Sequence, residues 1–566
     1  MKIFSKLIIS TATIALLLGA NIAHAQNLPS SAEASRAGGQ IAPLQMGPQA
    51  QVTGQVSAAS GSIAAPKGAE KIKFTLKSVK IDGQTVYQPA QVEALYGDMV
   101  GKTVSLADVY GLADRLTAKY RNEGYILTQV VVPPQTIDNG TVRLQVVEGF
   151  VDQVTIQGST QRNIAFLDGF AEKIRAAKPL NSKTLERYLL LMNDLAGVQA
   201  RAVLSPSPRT PGASDVTLIV EQKAYDAFFQ LDNRGSRYLG PLQMNVGARL
   251  NNLTGYYDGV NFQVVTAPDG SPDRELSFYG ITWQQPINHE GTKLTAGVSF
   301  TSTHPGFTLT PFEVDGIAKA VNLELSHPFI RSRNTNLYAG VRFNYLDTHR
   351  NDNLGLGPTE DRLRVLRLNG TYQFADKFLG VNNFTAELSK GLDMMNASSK
   401  GDDNLTRALG DPKFFKGTAE ISRTQRLTEK FEAYLAANGQ LSADTLLASE
   451  EFGVGGMNYG SAYDNSEITG ENGLAGRFEL RMNNPVQAPV DFWQLYSFYD
   501  IGKVWDTDNA SASDRQRSLA SAGAGARVNV NAHLAGTFEF AVPLTREVET
   551  ENDNSPRLFG TLTGKF

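Results

Sequence analysis

The 566-residue chain has no cysteine, which excludes disulfide scaffolds, thiolate nucleophiles and cysteine-ligated metals. Histidine is scarce too. Six are present, at 24, 289, 304, 327, 349 and 533, none at a helical i, i+4 spacing, so no metal centre is expected. The formal charge of −4 leaves no basic footprint for nucleic acid. Long apolar runs are missing as well: the stretch Leu7–Leu18 is too short to span about 30 Å of hydrocarbon. Neither a Gly-x-Ser-x-Gly elbow nor a His-Glu-x-x-His pair occurs. Gly97-Asp98-Met99-Val100-Gly101-Lys102-Thr103 imitates a phosphate loop, but it is one residue short between its glycines and does not join a strand to a helix start. The paired acids Glu450-Glu451 and Asp402-Asp403 read as solvated loop charge, not as an acid–base couple. No enzyme and no cofactor are expected.

What is present begins with a signal peptide over residues 1–25. Lys2 and Lys6 open it, the Leu7–Leu18 run forms its core, and Ala23-His24-Ala25 is a small-x-small cleavage site. Residues 26–71 are rich in Ala, Gly, Ser, Gln and Pro. Such a segment buries too little apolar surface to offset its ordering entropy, so most of it reads as linker. A short helix over Ser30–Ala37, capped by Ser30 or Ser31, is its one expected element.

From Ile72 the texture changes. Phe74–Ile81 alternates like a strand and Gln84–Leu95 reads as a turn and helix. Leu106, Val109, Leu112, Ala113, Leu116 and Tyr120 line one face of a second helix that ends at Gly124. Tyr125–Val132 and Thr141–Glu148 complete a β-α-α-β-β unit. The same order returns in Val151–Gly158, Ile164–Ala177, Leu180–Leu195, Gln199–Ser205 and Asp215–Glu221. This is an internal repeat of structure although the letters hardly match. Two α/β units, 72–149 and 150–223, are expected, each covering one sheet face with helices.

The remaining residues, 224–566, carry period-two patterning. Leu337, Ala339, Val341, Phe343 and Tyr345 alternate with Tyr338, Gly340, Arg342 and Asn344; Phe538, Phe540, Val542 and Leu544 alternate with Thr537, Glu539 and Ala541. Segments of about ten residues recur with charged partners and no helix between them, as in an outer-membrane barrel. Sixteen strands would leave about 21 residues for each strand and its connection. The last strand ends on Phe566, sharing a face with Gly564 and Leu562, similar to the aromatic signal for barrel insertion.

Several motifs narrow this further. Tyr120-Arg121-Asn122-Glu123-Gly124-Tyr125, Val132-Pro133-Pro134-Gln135 and Val147-Glu148-Gly149 resemble the polypeptide-transport-associated (POTRA) domains of two-partner secretion transporters. These are the outer-membrane half of haemolysin and haemagglutinin secretion systems, within the outer membrane protein 85 superfamily. Leu231–Gly240 resembles that family's first strand and hairpin, and Leu446–Gly456 the approach to its inward-folded loop. Phe498-Tyr499-Asp500-Ile501-Gly502 matches its Phe-x-Asp-x-Gly strand motif. The resemblance implies a transmembrane antiparallel β-barrel of sixteen strands preceded by two α/β POTRA domains facing the periplasm. It also implies capture of an unfolded, large β-helical exoprotein and its secretion without ATP. Outer-membrane lipid and, during biogenesis, the barrel assembly machinery are the other implied partners, with the chain a monomer. The alternatives are an insertase of the same superfamily, or a porin or receptor-type channel with a periplasmic extension.

In the family, the inward loop carries a Val-Arg-Gly-Tyr/Phe tetrad whose arginine pairs with the strand-motif aspartate. Here the loop residues are Phe452, Gly455, Gly456, Gly460, Ser461 and Tyr463, facing the strand residues Phe498, Asp500 and Gly502. Tyr463 keeps the aromatic, but Ser461 stands where the arginine is expected. A carboxylate in a partly dry lumen then needs another cation, more water or a proton. Arg477 and Arg481 are the candidates, because Phe478 and Leu480 take the opposite, lipid-facing parity.

Overall fold

The computed structural model describes residues 28–41, 64–158, 164–268, 274–353, 357–484, 490–507 and 515–566. The expected signal peptide lies outside the described residues.

The first α/β unit holds a three-stranded sheet in the order Ser78–Asp82, Thr141–Val147, Gln129–Val131. The central strand runs parallel to the first and antiparallel to the last. Leu112, Leu116 and Tyr120 of the helix Leu106–Asn122 are buried against it. Ser105 caps this helix in a reciprocal box with Asp108, satisfying donors that the first turn leaves free. Two details differ from the alternation pattern. The expected strand Phe74–Ile81 is broken: Lys73–Thr75 pairs with Thr103–Ser105, Leu76 is buried, and Lys77 N donates to Gly140 O before Ser78–Asp82 resumes. The expected strand Tyr125–Val132 shortens to Gln129–Val131, because Tyr125 turns back to pack edge-on against Tyr120.

The quoted sequence motifs meet here. Glu148 accepts from Thr85 N (2.7 Å), Val86 N (3.2 Å) and Tyr120 Oη (2.7 Å). Burial pushes its carboxyl up, but these hydrogen bonds outweigh it and hold the group below the usual range.

The second unit repeats the order with Phe150–Gly158, Ala213–Gln222 and Val198–Pro206 under helices Ile164–Ala176 and Ser182–Asn193. The two units are in direct contact. Asn181 Nδ2 donates to Glu123 O (3.1 Å), Ser182 N donates to Gly124 O (2.8 Å), and Leu127 packs against the second unit's core.

Sixteen antiparallel strands, from Tyr225–Asp232 to Arg557–Lys565, form one closed barrel. The last strand pairs with the first from Thr561↔Asp232 to Lys565↔Phe228. Leu323, Val341, Leu366 and Leu388 stand exposed on the outside, an apolar face of the kind a membrane-spanning barrel turns outward. The opposite face is charged: Arg342 pairs with Glu387 (2.6 Å) and Arg367 Nη1 with Glu387 Oε1 (3.3 Å).

Two barrel turns clamp the second unit. Tyr257 is buried in that unit's core, and Glu290 accepts from Lys173 (2.8 Å) and Tyr188 (3.0 Å). Asp194, capping the C-terminus of Ser182–Asn193, takes Arg331 through both oxygens at 2.8 Å.

The N-terminal helix forms later than its sequence suggests. Ser30–Ala32 is a single 3-10 turn, the α-helix is Ala34–Gln40, and its N-cap Glu33 makes no side-chain cap bond. Tertiary contacts decide its place. It lies inside the barrel against the inward-facing Phe278, Thr301 and Gly316.

Candidate functional site

The connection between strands Phe431–Ser442 and Asn472–Asn484 folds back into the lumen. Its core is a short antiparallel ribbon, Phe452–Val454 with Ile468–Gly470. Phe452, Val454, Ala462, Tyr463 and Ile468 bury an apolar face against the wall residues Phe498, Val504, Leu519 and Phe559. Two bare backbone positions admit them. A Cβ on Gly473 would lie 2.0 Å from Phe452, and one on Gly502 would lie 2.4 Å from Val454. The glycine of the strand motif is therefore the pad on which the loop sits.

Beyond the ribbon the loop turns sharply. Gly455 N donates to Tyr459 O (2.8 Å) and Gly456 N to Tyr463 O (3.2 Å). Gly460, at φ 112°, has a conformation that L side chains rarely adopt, and it aims the next amide at the wall. Ser461 N donates to Asp500 Oδ2 at 2.9 Å. Tyr463 Oη donates to the carbonyl of Ala520 or Arg546, both at 3.2 Å.

Asp500 is wholly buried. Arg477 supplies its cation: Nη1 lies 3.1 Å from Oδ1 and 3.2 Å from Oδ2. The same nitrogen donates to Ser461 Oγ (2.7 Å) and Met457 O (3.0 Å), so the guanidinium ties loop to wall. Ser521 Oγ adds a further donor to Asp500 at 3.2 Å. Phe498 lies under the guanidinium, with the cation 4.5 Å from the ring centroid. Arg481 does not reach Asp500. It pairs with Glu479 at 2.6 Å, alongside Arg477 (2.7 Å) and Arg527 (3.1 Å). The motif residues Phe498, Asp500 and Gly502 share the lumen face.

One expectation is overturned. Glu450 and Glu451 are not solvated loop charge: Glu450 is buried and holds Arg367 and Lys416, both at 2.7 Å. Glu451 takes Arg36 of the N-terminal helix (3.3 Å) and Arg407 of an outer loop (3.1 Å). Asp402 and Asp403 are exposed. The helix is thus held by the loop, and neither Arg36 nor Arg407 was legible from local pattern. Two adjacent acids beside a glycine-rich turn were the available signal.

Comparison with known proteins resolves the family. Residues 212–528 match the model of the haemolysin secretion/activation protein ShlB/FhaC/HecB family, and residues 74–149 match a ShlB-type POTRA domain. The chain belongs to this family. It is an outer-membrane transporter of the two-partner secretion kind. Among its relatives is the heme/hemopexin transporter protein HuxB of Haemophilus influenzae (strain 86-028NP), 23% identical over 451 residues that cover 78% of each chain. The outer membrane transporter CdiB of Escherichia coli is 24% identical over 461 residues, covering 77% of this chain and 72% of its own. The structure of CdiB from Escherichia coli overlays with a TM-score of 0.73 at 20% identity, across 91% of this chain and 93% of that one. BamA from Haemophilus ducreyi, lacking POTRA domains 1–3, shares the fold at a TM-score of 0.50 and 11% identity, across 87% of this chain and 100% of its own.

Proposed function

We propose that this transporter captures an unfolded, β-helical exoprotein on its two periplasmic units and passes it outward through the barrel without nucleotide. One observation carries the reading: the lumen is lined with charge and obstructed by two elements held through side chains. These are the helix Ala34–Gln40 and the inward loop, and neither adds a strand to the barrel ladder. Both can leave without opening the wall. Among the described residues the outer strands of the two periplasmic sheets, Ser78–Asp82 and Val198–Pro206 among them, have one edge with no neighbouring strand, although Asn193 occupies that of the second at Ala200; an extended client can add there as a strand. Folding of the client outside then disfavours its return.

Within this reading the chain divides into a signal peptide (1–25), an N-terminal helix and linker (26–71), two POTRA domains (72–149 and 150–223) and the barrel (224–566). The chain works as a monomer, is set in lipid by the barrel assembly machinery, and catalyses no reaction. Ser461, Arg477 and Asp500 form the contact that seats the loop.

The test is export of the co-encoded exoprotein in cells that lack or carry this chain. Export is expected with the intact chain and lost on deleting residues 72–222, while other outer-membrane proteins assemble normally. Loss of that assembly instead would make the chain an insertase, and retained activity after the deletion would make it a simple channel.

A further inference from the structure

The outer loop between strands Gly380–Gly391 and Phe415–Arg426 sends one tripeptide, Leu405-Thr406-Arg407, against the inward loop. Leu405 and the nearby Phe414 are buried with Leu446 and Leu447 of the inward loop and with Leu363 and Val365 of the wall. Thr406 is fixed from both sides. Its N–H and hydroxyl donate to Asp361 (3.0 and 2.5 Å), and Ala448 N donates to its hydroxyl at 3.3 Å. Arg407 Nη1 donates to Leu446 O at 2.7 Å and lies between Glu451 (3.1 Å) and Glu471.

Glu451 is therefore shared. One oxygen faces Arg407 of the outer loop and the other faces Arg36 of the N-terminal helix, 3.3 Å away. The electrostatics around it give the sharing a direction. The carboxylates of Glu451, Glu471 and Asp506 approach within 4.8 Å of one another. Arg36 and Arg407 face the first of them, Arg407 the second, and Arg517 (2.6 Å) the third. Without Arg407, these three nearly buried acids would face two arginines among the described residues, Arg36 and Arg517. Like charges at that spacing repel strongly where water is scarce, so Glu451 would move off its position and take the helix contact with it.

We propose that Leu405-Thr406-Arg407 is a latch through which the cell-surface loop controls release of the helix from the lumen, with Glu451 as the shared joint. This rests on the reading of that helix as a removable obstruction. Coupling of this kind is reciprocal. Whatever draws the outer loop off the mouth from outside weakens the hold on the helix, and departure of the helix loosens the outer loop by the same factor.

The absence of native cysteine gives a clean assay in the full-length chain. Ala37 is 8% exposed against the lumen wall, so a cysteine placed there reacts with a water-soluble maleimide only after the helix leaves. Arg36→Ala should speed labelling about tenfold, the usual scale for losing a charge-assisted hydrogen bond. Arg407→Ala should speed it by a similar factor, acting through Glu451, the acid that Arg407 and Arg36 share. In a Glu451→Gln background, Arg407→Ala should add little. Retention of the heat-modifiable band on gels reports an intact barrel; if Arg407→Ala lacks it, Leu405→Ala is expected to accelerate labelling in its place. Wild-type or slower labelling in the outer-loop variants, with Arg36→Ala fast, would overturn the latch alone. An unresponsive Arg36→Ala would overturn the underlying reading of the helix.

Discussion

Arg477→Met is expected to lower the heat resistance of the barrel and to abolish export. The substitution keeps the side chain's bulk but leaves Asp500, which is wholly buried, with no paired cation among the described residues. Removing one member of a buried ion pair costs about 3–5 kcal/mol, because the other is stranded away from water. The damage is local, since Glu479 keeps Arg481 and Arg527. Two second-site changes distinguish charge from packing. Adding Asp500→Asn should recover most of the heat resistance, as replacing both partners of a buried pair is often nearly neutral. Moving the cation back to the loop, with Ser461→Arg and Arg477→Ser together, should recover export as well, whereas Ser461→Arg alone crowds two guanidinium groups and should impair it. The readouts are the temperature at which the heat-modified band appears and the exoprotein found in the medium. If Arg477→Met alone is indistinguishable from wild type in both, Arg477 does not hold this site.

Gly502→Ala is expected to give the opposite phenotype, a folded barrel with an undocked loop. Its new methyl would sit 2.4 Å from Val454 Cγ1, and real Cβ atoms do not approach that closely. Overpacking of this kind costs about 1–3 kcal/mol. The wall has no reason to yield, because Gly502 keeps its backbone partners Ala475 and Leu519 on the neighbouring strands. The loop, held by side chains, moves instead. Conductance in planar bilayers should rise, with open events about tenfold more frequent, and the loop should become sensitive to protease added from outside. Gly476→Ala on the outer face is the control, since its nearest neighbour would be 3.6 Å away and no change is expected. Equal conductance in the two variants would separate Gly502 from loop docking.

The barrel was legible because period-two patterning is a local property. Val341 and Arg342 declare their faces from sequence alone, and the structure places one on the outside of the barrel and the other in the lumen. The repeat of the two periplasmic units was legible for a similar reason, as helix amphipathicity survives when letters do not. The choice between Arg477 and Arg481 was not legible. Parity puts both on the lumen face, but only the inter-strand register sets Arg477 directly opposite Asp500 and Arg481 opposite Tyr496. Four residues along a strand is about 13 Å, beyond the reach of one ion pair. Glu450 and Glu451 misled because acids in a loop are normally hydrated. Their burial is set by Arg36, by Arg367, and by Arg407 with Lys416, which come from three distant parts of the chain. The helix Ala34–Gln40 is a similar case: Arg36 gives it meaning only once the lumen exists around it.

The most direct test asks whether the exoprotein travels inside this cylinder. A photo-crosslinking residue at Asn344, on the lumen face, or at Val341, exposed to lipid on the same strand, would be activated during export. Adducts to the exoprotein from position 344 and none from position 341 are the predicted result. Exoprotein reaching the medium with no adduct at 344, or with equal adducts at both, would contradict passage through the lumen.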